Sequence, residues 1–105
     1  MRLVLIESPY AGDVEAHTAY ARLCMRDSLE RGEAPYASHL LYTQPLILDD
    51  LDPEEREWGI HAGLSWGAVA DLTAVYIDFG ISSGMEYGIF AAKDHGRPIE
   101  YRKIN

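Results

Sequence analysis

A chain of 105 residues is the size of one domain, here spanning 1–105, with a core large enough for stability and little to spare. Hydrophobic residues at 48% and charged ones at 25% are globular values that argue against disorder. A net charge of −8 with only nine scattered Lys and Arg argues against a nucleic-acid partner. It does not argue against a small anion, which backbone N–H groups at a helix start hold without basic side chains.

The first apolar run, Leu3 to Ile6, is far shorter than a signal-peptide core and ends at Glu7, so neither export nor a membrane segment is expected and a cytoplasmic location is. In a phage-encoded chain that means the host cytoplasm. The run reads as a buried strand, broken by the turn Ser8-Pro9-Tyr10-Ala11-Gly12. Asp13 then caps a helix to about Arg31, with His17, Tyr20, Ala21, Cys24 and Ser28 on one face, and Gly32 stops it. Cys24 has no second cysteine to bridge and reads as packing. The four histidines, His17, His39, His61 and His95, are spread along the chain, so no metal site and no cofactor are expected.

Ala34 to Leu41 reads as a second strand carrying Tyr36 and His39, followed by an irregular segment with Asp49 and Asp50. Asp52-Pro53-Glu54-Glu55 is a strong helix start: a capping carboxylate, proline at the first helical position and glutamate three residues after the cap. The pattern carries that helix to Ala70. Gly59, Gly63 and Gly67 fall four residues apart in it, and each costs roughly 1 kcal/mol relative to alanine. The row implies a close backbone approach, either by another part of the domain or by a second copy.

Thr73 to Pro98 organises the rest. Thr73-Ala74-Val75-Tyr76-Ile77, β-branched and aromatic without alternation, suits a strand buried on both faces. Asp78 to Gly84 is a Gly- and Ser-rich turn, and Met85 to His95 carries apolar residues at helical spacing. Pro98 to Lys103 reads as an edge strand. The order βαβ, loop, αβαβ predicts a small three-layer α/β/α domain, Rossmann-like or flavodoxin-like, with a mainly parallel four-stranded sheet in the order 2-1-3-4. That order sets the turns after the first and third strands side by side at the topological switch point, where such sheets bind ligands. Ser8, Tyr10, Asp13, His17, His39, Asp78, Ser82, Ser83 and Glu86 are the polar residues expected there.

Ser8-Pro9-Tyr10 with Gly12-Asp13, Ala37-Ser38-His39-Leu40, Leu48-Asp49-Asp50 leading to Pro53-Glu54-Glu55-Arg56, and Asp78 with Gly80-Ile81-Ser82-Ser83-Gly84-Met85 occur in order over nearly the whole chain. Together they resemble the nucleoside 2-deoxyribosyltransferase-like superfamily, most of all its small phage and bacterial members. The resemblance implies a nucleoside or nucleotide derivative as partner, a site that includes Pro9, Gly84, Met85 and position 88, N-glycosidic bond cleavage by a glutamate nucleophile, and a homodimer or larger assembly. In one respect the chain departs from the pattern. The glutamate of the family stands four residues after the helix-start glycine, and that position here is Gly88. Glu86 lies two positions away, a rotation of about 200° along a helix, and is the nearest substitute, with Asp78 and Tyr10 as further catalytic candidates.

Three readings follow. The chain binds a nucleotide or an ADP-ribose-like derivative and cleaves its N-glycosidic bond, or it sequesters such a signal intact, as a phage protein acting against host defence would. Alternatively it is an assembly module with an empty crevice.

Overall fold

A computed structural model describes residues 1–105. The strands are β1 (Leu3–Glu7), β2 (Ala34–Tyr36), β3 (Leu72–Tyr76) and β4 (Ile99–Arg102), and the helices are α1 (Val14–Glu30), α2 (Pro53–Ser65) and α3 (Ser83–Asp94). All strand pairs are parallel and the sheet order is β2-β1-β3-β4, as expected from the element order. In register, Val4 of β1 faces Leu72 of β3 and Glu7 faces Val75. No helix is long and apolar enough to cross a membrane.

The sheet buries both of its faces. Val4 and Ile6 of β1 and Leu72, Ala74 and Tyr76 of β3 pack with Tyr20 and Cys24 of α1 on one side, while Val75 packs with Met85 and Ile89 of α3 on the other. Each Val, Leu, Ile or Met side chain among them contributes about 1.5–3 kcal/mol by leaving water. β3 is buried at all five positions, which explains its unbroken apolar run. The expected face of α1 is the one observed: Tyr20, Ala21, Cys24 and Ser28 are buried. The Cys24 thiol is fully buried and burial pushes it up to about 12, so it is a packing group. The caps at Asp13 and Asp52 fall where the sequence places them, and Ser82 supplies a third for α3. Asp13 accepts from the Ala16 N–H, Asp52 from the N–H groups of Glu54 and Glu55, and Ser82 from that of Met85.

Two elements differ from expectation. The second strand does not run to Leu41: β2 pairs only at Ala34, Pro35 and Tyr36, and Ser38–Leu40 form a 3-10 turn. Pro35 lacks the N–H that a longer ladder needs, which suits a short edge strand. The helix begun at Asp52 does not run to Ala70: α2 ends at Ser65 and a 3-10 turn, Trp66–Ala68, follows. Here the Ser65 hydroxyl donates to the His61 carbonyl, and the Gly67 carbonyl accepts from the Arg97 guanidinium, so the last turn is drawn off the helix axis.

The glycine row meets this chain's own side chains. A Cβ at Gly59 would stand 3.2 Å from Leu48 Cδ1, one at Gly63 3.1 Å from Ser38 Cβ, and one at Gly67 2.9 Å from Arg97 Nη1. Of the α2 residues only Gly59 is fully buried, so α2 is seated by backbone approach and not by an apolar stripe. Gly63→Leu is therefore expected to lower stability by about 1–3 kcal/mol with no change in elution volume. A shift toward smaller species at unchanged melting temperature would place the row at an interface instead.

Candidate functional site

β1 leads through α1 to β2 on one side, and β3 leads through α3 to β4 on the other, so the chain leaves the sheet in opposite directions at the adjacent carboxyl ends of β1 and β3. A crevice at this point is the general ligand site of open α/β sheets. A polar cavity of about 60 Å³ lies here, and Glu7, His39, Asp50, Arg56, Gly84 and Gly88 are among its walls. A larger groove, about 720 Å³, runs beside it between the turn after β1 and the loop at residues 43–51, lined by Tyr10, Leu46, Ile47 and Leu51 among others. Asp50 belongs to both. Both spaces are lined mainly by apolar surface; the larger carries only carboxylates, Asp49, Asp50 and Glu55, whereas the smaller brings Arg56 together with Glu7 and Asp50.

Of the expected residues, His39, Gly84 and Gly88 meet in the polar cavity. The shortness of β2 brings His39 there. Its ring stacks on Tyr10, 4.8 Å between centroids at 17°, and Tyr10 in turn donates to the Thr43 carbonyl at 3.0 Å. Burial lowers His39 to about 4, so the ring is neutral at pH 7 and serves as a flat wall and hydrogen-bonding group. Ser8 and Pro9 are buried, and the Ser8 hydroxyl has no hydrogen-bond partner.

Other expected residues have structural employment. Asp78 accepts from the Tyr20 hydroxyl at 2.5 Å and from the N–H groups of Ile104 and Asn105 at 3.0 Å each. The hydrogen bond from Tyr20 holds its carboxyl below the usual range, and the carboxylate ties down the end of the chain. Asp13 caps α1, His17 shares a hydrogen bond of 3.0 Å with the Tyr10 carbonyl, and Met85 is 1% exposed in the core. Ser82 caps α3 and Ser83 is exposed in its first turn. Glu86 faces solvent and is not among the walls of the polar cavity, because two residues of rotation carry it away from the face that Gly88 presents.

Three charged residues are found there instead. Arg56 pairs with Asp50 at 3.2 Å, and its Nη2 would be 3.6 Å from a Cβ at Gly84, beside the first turn of α3. Glu7 is the third. Its carboxyl lies so close to Gly88 that a Cβ there would overlap the carboxyl carbon and Oε2. Glu7 makes neither a hydrogen bond nor an ion pair within the chain; burial raises it to about 8, against the weaker opposing pull of Arg97. The signal in the sequence was slight: one acidic residue closing the apolar run of a central strand, and a glycine on the inner face of the facing helix. Tyr36, whose buried hydroxyl is also without a partner, lines the same cavity. No group of three or more His, Cys, Asp or Glu is placed to hold a metal ion.

Residues 2–102 match the family described as a domain of unknown function, DUF7768. No curated protein matches the chain. Among solved structures, it is similar to the 2-deoxyribosyltransferase of the psychrotolerant bacterium Bacillus psychrosaccharolyticus, described as a biocatalyst for the synthesis of antiviral and antitumoral nucleosides. The TM-score is 0.65 at 18% identity, over 96% of this chain and 72% of that one. It is also similar to a 2-deoxyribosyltransferase of Leishmania mexicana, with a TM-score of 0.54 at 12% identity over 100% of this chain and 66% of that one. At these identities the likeness is one of fold, and the fold is the deoxyribosyltransferase-like α/β fold that the ordered motifs predict.

Proposed function

The chain belongs to the DUF7768 family, and we propose that it binds a nucleoside phosphate at the switch point of its sheet and acts on the N-glycosidic bond. The observation that carries this reading is the meeting of Arg56, His39, Asp50, Glu7 and Tyr36, whose hydroxyl is unpartnered, in one cavity at the carboxyl ends of β1 and β3. Size sets the pose. About 60 Å³ holds no nucleoside, whereas about 720 Å³ is within the usual range for a small-molecule pocket, so the ligand spans both spaces with its reacting bond near Asp50. Arg56, beside the first turn of α3, takes the anionic group.

A 2-deoxyribosyltransferase-like fold favours a nucleoside derivative among the ligands that suit such a crevice. Gly88, in place of the glutamate that the resemblance leads one to expect, favours a second reading, retention of the ligand intact. A homodimer fits either: Leu46, Ile47 and Leu51, exposed beside the groove, offer a second copy an apolar surface.

Protein incubated with a mixture of ribonucleoside and deoxyribonucleoside 5′-monophosphates, desalted and heat-denatured should release a nucleotide or its base in proportion to protein. Arg56→Gln should lower the amount retained about 10-fold or more, from the loss of a hydrogen bond to a charged group. Equal recovery from Arg56→Gln would remove Arg56 from the site. Empty protein under all conditions would leave the fold as an assembly module.

A further inference from the structure

We propose that Glu7, reaching the cavity from the end of β1 and resting against the backbone of Gly88, is a catalytic acid that protonates the departing base. This rests on the nucleotide reading above.

A carboxyl on a half-buried side chain set into a cavity wall ordinarily finds a cation or several N–H donors, because an unpaired charge drawn away from water is costly. Glu7 has neither. The charged and titratable groups around it are Arg97 after α3, Arg56 from α2, Asp50 from the loop before it, His39 from the 3-10 turn, Tyr36 from β2 and Tyr87 from α3. None of them bonds to it. Arg97 donates instead to the Thr73 hydroxyl and the Gly67 carbonyl, and Arg56 pairs with Asp50. Burial therefore dominates, and the carboxyl holds its proton at neutral pH on the wall of the smaller cavity, which Asp50 also lines and where the reacting bond is set. A carboxylic acid kept protonated in a cleft is a standard device for proton donation. Gly88 makes the arrangement possible, since any side chain at that position would claim the volume of the carboxyl.

In the step, Glu7 gives its proton to a ring nitrogen of the base, and the C1′–N bond breaks with its electron pair going to the base. Water adds through oxygen to C1′ and surrenders a proton to the Glu7 carboxylate, which restores the acid. The sum is nucleoside plus water giving free base and sugar. No glycosyl-enzyme ester forms, so the reaction is hydrolysis without base exchange.

The test uses the full chain with the four 2′-deoxynucleosides, the four ribonucleosides and their 5′-monophosphates. Free base is followed by chromatography, and retention of intact ligand by equilibrium dialysis. The proposal expects the wild type to release base, with release falling as pH rises past about 8, where the acid form is lost. It expects Glu7→Gln to slow release about 100-fold or more while ligand retention stays within about 3-fold. Labelled free adenine added in excess should not enter nucleosides. Release by Glu7→Gln within about 3-fold of wild type, or incorporation of the labelled base, overturns the role of Glu7 and leaves the nucleotide reading standing. Retention of ligand without any base release has the same meaning. Neither retention nor release overturns both. Should Glu7→Gln fail to fold, the wild-type pH profile decides, and a rate that is flat or rising through pH 8 overturns the proposal.

Discussion

Arg102→Met is expected to lower the stability of the protein by about 3–5 kcal/mol, seen as a fall in melting temperature of about 15 °C or more for a domain of this size. Arg102 is 4% exposed, and its guanidinium meets Glu33 through two hydrogen bonds of 2.8 Å each. Glu33, 3% exposed, also accepts from the Ser28 hydroxyl at 2.7 Å and from Arg2 at 2.9 Å, while Arg102 reaches the Tyr76 hydroxyl at 3.2 Å. One network thus joins β4, β3, the end of α1 and the entry to β2. Removing the guanidinium leaves Glu33 enclosed without its main partner, and the loss reflects that stranded charge more than the net worth of the pair. The double variant Arg102→Met/Glu33→Leu, with neither charge inside, should lose less than Arg102→Met alone.

The same pair sets an acid limit. Hydrogen bonds from Arg102 lower Glu33 from 4.5 to about 2. The unfolded chain therefore binds the proton more readily, so this part of the stability is present above about pH 4.5 and is lost as pH falls toward about 2. The stability gap between wild type and Arg102→Met should narrow over that interval, as chemical denaturation at several pH values would show. A constant gap would mean that Arg102 acts through packing.

The second large effect is expected at Gly88. Gly88→Ala places a methyl group on the Glu7 carboxyl, which can only swing into the polar cavity or push α3 from the sheet. The expected cost is about 1–3 kcal/mol, together with loss of nucleotide retention in dialysis. In the Glu7→Ala background the same substitution meets no carboxyl. It should then stabilise the protein by up to about 1 kcal/mol, the helix preference of alanine over glycine. A change of sign between the two backgrounds is the signature of direct contact. Equal effects in both would mean that α3 stands off from β1 in solution.

Local chemistry was sufficient for much of the fold. Caps at Asp13 and Asp52, the buried face of α1 and the doubly buried run of β3 depend on residues a few positions apart, and alternation of strands and helices leaves few parallel topologies open. The lengths of β2 and α2 were not legible in the same way. They depend on how far a partner strand extends at Pro35 and on an arginine thirty residues beyond Gly67.

For the candidate site, the sequence by itself determined the place, the turns after β1 and β3 at the switch point, because strand order follows from connectivity. Only the tertiary structure decided which side chains occupy it. Asp78 is drawn away by Tyr20 and the chain end, Glu86 is turned to solvent, and Glu7 is brought onto Gly88. The physical reason is separation along the chain. Glu7 and Gly88 meet because β1 pairs with β3 in one register and α3 then crosses back over the face that Glu7 shares, and no pattern local to either residue encodes that contact.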